Sequence, residues 1–72
     1  MTLNEASTEK EYIIKAINTD DEEMKSFLFT LGCYVGEPIT VVQRKKKNLM
    51  VAIKDARYNI DSDLAEAMEV EG

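Results

Sequence analysis

Apolar and polar residues alternate along residues 39–44 and again along residues 49–54, and this period of two predicts a pair of adjacent β-strands. The apolar residues that share one face of these strands are Ile39, Val41, Leu49, Val51 and Ile53. The basic segment 45–48 between the strands predicts a hairpin turn, in which Asn48 is able to take the left-handed conformation. The centre of the chain is therefore predicted to be a β-hairpin with one buried face.

Three other segments have the composition of short strands. β-Branched and aromatic residues are concentrated in residues 11–18, and two further strands are predicted at residues 57–60 and 69–71. Residues 1–10 predict a capping strand or loop, with Leu3 as its only large apolar anchor.

A helix is predicted between the first two strands, where apolar residues recur at helical spacing. Thr19 lies three residues before Glu22 in a capping-box pattern, and Gly32 is placed to end the helix in the left-handed conformation. The apolar residues on the predicted buried face are Met24, Phe27, Leu28 and Leu31. A second, short helical turn is predicted after a cap at Asp61 or Ser62. The apolar residues assigned to that turn are Leu64, Ala65 and Met68.

Together these elements predict a mainly β fold over a single domain, residues 1–72. It is a small barrel of about five short strands, with one helix inserted after the first strand and a short C-terminal helical turn. Closure of the barrel is expected to remove the exposed strand edges. The predicted core includes Ile14, Leu28, Leu31, Val41, Val51, Ile53 and Met68.

The sequence contains no catalytic arrangement of side chains, which predicts a binding protein rather than an enzyme. It has no histidine and one cysteine, Cys33, so disulfides and Cys/His zinc sites are excluded, and Cys33 is expected to be a packing residue. The four carboxylates of residues 20–23 diverge by about 100° per residue at a helix start, which favours helix-dipole complementation over a cation site. We therefore predict no metal site beyond weak binding of a divalent transition metal, and no other cofactor.

The net charge of −5 is unevenly distributed along the chain. Residues 25–57 hold seven basic and two acidic side chains, whereas residues 1–24 hold two basic and seven acidic, and residues 58–72 hold five acidic and none basic. The acidic total argues against nucleic acid as a partner, and the segregation is compatible with docking on a charged protein surface or with a solvated surface. With no apolar run long enough for a membrane span and no signal-peptide pattern, a cytoplasmic location is expected.

Two surface features are candidates for partner binding. Tyr34 and Val35 lie in a predicted turn between glycines, where large side chains are less needed for folding, so they are candidates for an exposed apolar contact. The alternative is that Tyr34 packs beneath the turn. Arg44 and the three lysines Lys45, Lys46 and Lys47 form a basic cluster at the predicted hairpin tip. This basic tip either contacts an acidic partner or anionic headgroups, or is a solvated turn that blocks edge pairing.

The segment 31–42 resembles the ferrous iron transport protein A (FeoA) family. It has the family's pattern of a helix ending in Leu-Gly, a few residues, a second glycine and then an alternating Val/Ile strand. Residues 1–6 and 57–70 also look like this family, so the resemblance covers nearly the whole chain in register.

The resemblance implies an SH3-like barrel with a cytosolic accessory role in ferrous iron uptake. The implied partner is a membrane ferrous iron transporter that carries a GTP-binding domain, bound by protein–protein contact without membrane insertion. Similar domains form the C-terminal part of iron-dependent repressors, so a metal-binding or metal-sensing domain is the alternative. A nucleic-acid-binding barrel built around the basic tip ranks third, and the oligomeric state is left open.

Overall fold

Five antiparallel strands, two helices and a 3-10 turn make up the computed structural model, which describes residues 1–72. In chain order the elements are the 3-10 turn Leu3–Glu5, β1 (Glu11–Ile17), α1 (Glu22–Thr30), β2 (Pro38–Arg44), β3 (Asn48–Ile53), β4 (Ala56–Asp61), α2 (Ser62–Glu66) and β5 (Met68–Glu71). The strands form one sheet in the order β4-β3-β2-β1-β5. The predicted mainly β architecture, with one helix after the first strand and a short one near the C-terminus, is confirmed.

The alternating pattern of the central hairpin is realised as predicted. In β3 every second residue is buried, and the same holds for Ile39 and Val41 in β2. The ladder between β2 and β3 shifts register between Val41 and Gln43, and the ladder between β1 and β5 shifts between Ile14 and Ala16. Such bulges increase local twist and bend a strand, which curls a five-stranded sheet around a core.

The hairpin turns differ from the prediction in which residue adopts the left-handed conformation. Asn48 does not adopt it, because Asn48 is the first residue of β3 and is held extended opposite Asp61 of β4. The Lys45 N–H donates to the Asn48 carbonyl at 2.8 Å and closes the turn. The left-handed residue is Lys54, with a φ of 56°, in the next turn between β3 and β4.

The N-terminus of α1 is capped by Asp21, not by Thr19 as predicted. One oxygen of the Asp21 carboxylate accepts from the N–H groups of Glu23 at 3.0 Å and Met24 at 3.2 Å. Thr19 lies two residues earlier, and its hydroxyl accepts from the Asp21 N–H at 3.1 Å. The charged carboxylate directly before the helix is the better acceptor for these unpaired amides.

The core contains the predicted residues, with one exception, Leu31, which is half-buried at its margin. Phe27 was predicted to be buried and is 46% exposed, so that prediction is wrong. In α1 only Leu28 is fully buried, while Met24 packs partly against the core. A helix of nine residues with a single buried side chain has a narrower buried face than the apolar stripe suggested, and Phe27 lies about 100° around the axis from Leu28.

The C-terminal elements connect the two ends of the sheet. Asp61 is the cap of α2, since its carboxylate accepts from the Leu64 N–H at 2.9 Å. Met68 belongs to β5 and not to the helical turn, and it is fully buried there. The outer edge of β5 is covered where the Val70 N–H donates to the Met1 carbonyl at 2.8 Å.

The strands β4 and β5 do not pair with each other, although α2 joins them along the chain. The expectation that closure removes the exposed strand edges is therefore wrong for β4, whose only strand neighbour is β3. The sheet is curved enough to enclose the core, yet the barrel is open, because no hydrogen bonds join β4 to β5.

Candidate functional site

Two aromatic rings are stacked on the outside of the domain at the end of α1. The ring centroids of Phe29 and Tyr34 lie 5.4 Å apart with 7° between the ring planes. Phe29 is 41% exposed, Tyr34 is 49% exposed, and the neighbouring Val35 is 66% exposed. We call the side chains of Phe29, Tyr34 and Val35 the aromatic surface.

Backbone hydrogen bonds at the helix end fix the position of this surface. Gly32, with a φ of 95°, donates its N–H to the Phe29 carbonyl at 3.0 Å, and the Cys33 N–H donates to the Leu28 carbonyl at 3.0 Å. These bonds reverse the chain so that Tyr34 returns over Phe29. A residue with a Cβ would be strained at the φ of Gly32, so glycine is required for this return.

The second half of the turn is attached to β1. The Gly36 N–H donates to the Ile14 carbonyl at 2.8 Å, and the Ile14 N–H donates to the Glu37 carbonyl at 3.0 Å. The Glu37 N–H also donates to the Tyr34 carbonyl at 3.0 Å. The aromatic surface therefore stands on a turn bonded at both ends, and little conformational freedom remains to be lost when a partner binds.

Cys33 immediately precedes Tyr34 in the chain and is inaccessible to solvent. Burial raises the pKa of the Cys33 thiol to about 11, so the thiol stays protonated at neutral pH. The prediction that Cys33 is a packing residue is confirmed by its burial in the core. A protonated, buried thiol without a neighbouring base is a poor nucleophile, so chemistry at this position is not supported.

The sequence indicated Tyr34 and Val35 as exposed and missed Phe29. Phe29 lies outside the stripe of apolar residues that faces the core, on the side of α1 that carries Lys25 and Glu22. The exposure of Phe29 could have been predicted from its position, because it is a large apolar residue on the polar side of an amphipathic helix. Phe27, the other exposed aromatic of α1, lies about 200° around the helix axis from Phe29 and forms no part of the aromatic surface.

The basic hairpin tip is a separate feature. Lys45, Lys46 and Lys47 are exposed and take part in no ion pair within the chain. They follow β2, whereas Tyr34 and Val35 precede it. Since a strand of this length spans about 20 Å, the basic tip and the aromatic surface lie at opposite ends of β2.

Arg44, predicted to belong to the basic tip, has a structural role instead. Its guanidinium donates to the backbone carbonyls of Asn4, at 2.8 Å, and Ala6. These bonds attach the N-terminal 3-10 turn to the end of β2. The guanidinium of Arg44 is thus engaged with backbone carbonyls of its own chain. The free cations of the tip are therefore the three lysines alone.

No three Cys, Asp or Glu side chains come together in the structure in a way that would hold a metal ion. Of the four carboxylates at residues 20–23, Asp21 is engaged in capping α1 and Glu22 lies 3.5 Å from the ammonium of Lys25. The acidic segment thus has an explanation in the helix that it begins. Neither helix of the domain has the length or the apolar character needed to cross a membrane.

The sequence matches a known family over the whole chain. The family model described as the FeoA domain matches residues 1–72. The chain belongs to the FeoA family. Membership in this family supports a role in ferrous iron transport. No curated protein sequence matches the chain significantly.

Solved structures with the same fold include FeoA proteins and metal-dependent repressors. An iron uptake regulatory protein, FeoA, superposes with a TM-score of 0.89 at 19% identity, over 99% of this chain and 95% of that one. FeoA of Stenotrophomonas maltophilia complexed with zinc, described as a prokaryotic SH3 domain protein, gives 0.88 at 20% identity over 99% and 89%. A manganese-dependent transcriptional repressor gives 0.91 at 20% identity, over 99% of this FeoA domain and 40% of the repressor. At these identities the likeness shows an SH3-like fold.

Proposed function

We propose that this FeoA domain is an accessory protein of ferrous iron uptake, which acts in the cytoplasm by binding the membrane ferrous iron transporter and not by catalysis. The observation that carries the proposal is the aromatic surface, a stacked pair of half-exposed rings on a turn bonded at both ends. Aromatic anchors contribute a large share of the binding energy in protein interfaces. Because the turn is already ordered, the surface is suited to docking on a preformed partner.

The partner proposed is the GTP-binding domain of that transporter, and the basic tip is proposed to assist association. Three exposed lysines without partners in the chain present a local positive field on a domain of net charge −5. Such a field steers an acidic surface toward the domain and acts mainly on the association rate. Because the tip lies at the far end of β2 from the aromatic surface, we expect it at the rim of the contact or outside it.

The test is binding to the purified GTP-binding domain of the transporter, measured for Tyr34→Ala against wild type. We expect Tyr34→Ala to weaken binding by more than about 1 kcal/mol, because it removes one ring of the stacked pair. Phe27→Ala is the matched control, since Phe27 is an equally exposed aromatic outside the aromatic surface. Replacement of all three lysines of the tip by alanine should slow association and flatten its salt dependence.

A thermal melt of the same variants separates a binding role from a structural one. Since Tyr34 is about half exposed, its truncation should leave the domain folded, with a loss well below that of a core residue. If Tyr34→Ala lost stability while each folded molecule kept its affinity, the turn would be structural. The proposed contact would then have to be abandoned.

Metal sensing is the second candidate, favoured by the likeness to metal-dependent repressors and to a FeoA protein in complex with zinc. The repressors contain this fold in about two fifths of their length, so their activity includes parts that have no counterpart in this chain. The described side chains offer no group of three metal-binding residues for such a role within one copy. Partner binding is therefore the better supported function.

A further inference from the structure

The outer edge of β4 has unpaired backbone groups whose direction is fixed by the neighbouring hydrogen bonds. The Ser62 N–H donates to the Lys47 carbonyl at 3.0 Å, one step beyond the last pair of the ladder between β3 and β4. Bonded and non-bonded pairs alternate in an antiparallel ladder. The N–H and C=O groups that point away from β3 are consequently those of Arg57, Asn59 and Asp61.

The N–H and C=O groups of Arg57 and Asn59 have no partner within the chain, whereas the Asp61 carbonyl, at the N-cap of α2, accepts the first N–H of that helix. β4 has no second strand beside it, and no turn, cap or side chain bonds to the backbone of Arg57 or Asn59. The corresponding edge on the other side of the sheet differs, because β5 bonds through Val70 to the N-terminal segment. An unprotected edge of this kind is a template for pairing with another strand.

The exposed side chains of this edge carry a charge pattern that complements itself. Three side chains point to the same solvent face of β4: the positively charged Arg57, the neutral Asn59 and the negatively charged Asp61. Arg57 forms no ion pair within the chain, and Asp61 uses one carboxylate oxygen to cap α2 and leaves the other free. If a second copy of β4 runs antiparallel about a two-fold axis at Asn59, each Arg57 faces an Asp61 of the other copy.

We propose that the domain forms a two-fold symmetric homodimer by antiparallel pairing of β4 with β4 of a second copy. Centring the pair on Asn59 brings the outward backbone groups into bonded pairs, with about four N–H···O bonds between groups that are unpaired in the single chain. The same register places opposite charges directly across from each other at both ends. On the inner face, Tyr58 and Ile60 of the two copies extend the apolar layer.

Other arrangements of the same edge lose this match. Parallel pairing places Arg57 beside Arg57, and a shift of the antiparallel register by two residues leaves each charge opposite Asn59 or unpaired. The charges therefore select one partner geometry while opposing indiscriminate edge pairing. Because the edge is short and the ion pairs are exposed, the dimer is expected to be weak and concentration-dependent. This inference is independent of the proposed contact with the transporter.

Disulfide trapping tests the register directly. Asn59→Cys would place two thiols across a bonded antiparallel pair, where Cα atoms lie about 5.5 Å apart, within the range of a disulfide. Arg57→Cys is the matched control, because the two new thiols would lie about 13 Å apart. We expect mild oxidation at high protein concentration to give a covalent dimer with Asn59→Cys, and none with Arg57→Cys or with the wild type, whose Cys33 is buried.

Sedimentation of the unmodified protein gives a second readout. Asn59→Pro removes an outward N–H without touching the ladder to β3, and Arg57→Glu places like charges opposite Asp61. Both are expected to shift the wild-type dimer toward monomer at equal concentration, and a melt verifies that each variant is folded. Absence of a cross-linked Asn59→Cys dimer would overturn the proposal. So would self-association that Tyr34→Ala abolishes and Asn59→Pro leaves intact, because it would assign the dimer to the aromatic surface.

Discussion

Truncation of Leu28 is the most direct test of how α1 is held on the barrel. Leu28 is 0% exposed and is the only fully buried residue of the helix, so Leu28→Ala removes the main attachment of α1 to the core. Truncation of a fully buried leucine costs about 2–5 kcal/mol, depending on how far the cavity collapses. The core cluster that contains Leu28 is rich in stiff β-branched residues, which resist collapse, so we expect about 3 kcal/mol.

A loss of that size is a large part of the stability of a domain this small. At about 0.05–0.15 kcal/mol per residue, the whole chain is stabilised by roughly 4–11 kcal/mol. Each kcal/mol shifts the melting temperature of a 60–100-residue domain by about 4–8 °C, so Leu28→Ala should lower it by roughly 12–24 °C. Thermal and urea denaturation followed by circular dichroism measure both quantities.

Phe27→Ala is the control that makes the comparison decisive. Phe27 precedes Leu28 in the same helix and is 46% exposed, so its truncation should cost roughly 1–1.5 kcal/mol, about half of the loss expected for Leu28→Ala. Equal losses for the two variants, or an unchanged melting temperature for Leu28→Ala, would refute the packing of α1 described above.

Three further predictions concern the thiol, the helix cap and metal binding. Cys33 should resist thiol reagents at pH 8, because burial raises its pKa to about 11 from 9.0. Its contribution to stability is complete below pH 9 and falls between pH 9 and 11, where the thiol of the unfolded chain ionises first. In melts recorded as a function of pH, Cys33→Ala should remove this part of the pH dependence of stability. Asp21→Ala should cost about 1 kcal/mol in urea denaturation, while Asp20→Ala, next to the cap, should cost less than about 0.5 kcal/mol. Calorimetry with ferrous, manganous or zinc ions should show weak binding at most, and a stoichiometric site of micromolar affinity would instead support metal sensing.

The regular parts of the fold could be predicted because their signals are local. The period of two in β2 and β3 specifies which side chains are buried, and the glycine after α1 specifies a left-handed helix end; both agree with the structure. The cap at Asp21 and the extended Asn48 depended on competition between neighbouring acceptors and on pairing with a distant strand. Local pattern does not contain that information.

The candidate site was predicted in part for a similar reason. Tyr34 and Val35 could be identified because a turn between glycines gives large side chains little to pack against. Phe29 was missed because its exposure depends on how α1 is oriented on the barrel, and Arg44 was grouped with the lysines although it bonds to backbone about 40 residues away in the sequence. The free edge of β4 is likewise a property of the whole sheet and has no signature in the strand itself.

The position of β1 between β2 and β5 also sets an order of events in folding. β1 pairs with β2 through Glu11–Ile13 and with β5 through Ile13–Ile17, and β5 lies more than 50 residues further along the chain. A contact between such distant segments is slow to form, because a long loop must close before the pairing stabilises it. The hairpins β2–β3 and β3–β4 close over short loops and are expected to form early, whereas Met68 and Val70 enter the core in the last step. Until then one half of β1 stays exposed, which makes arrival of the final strand the event that commits the chain to its native state.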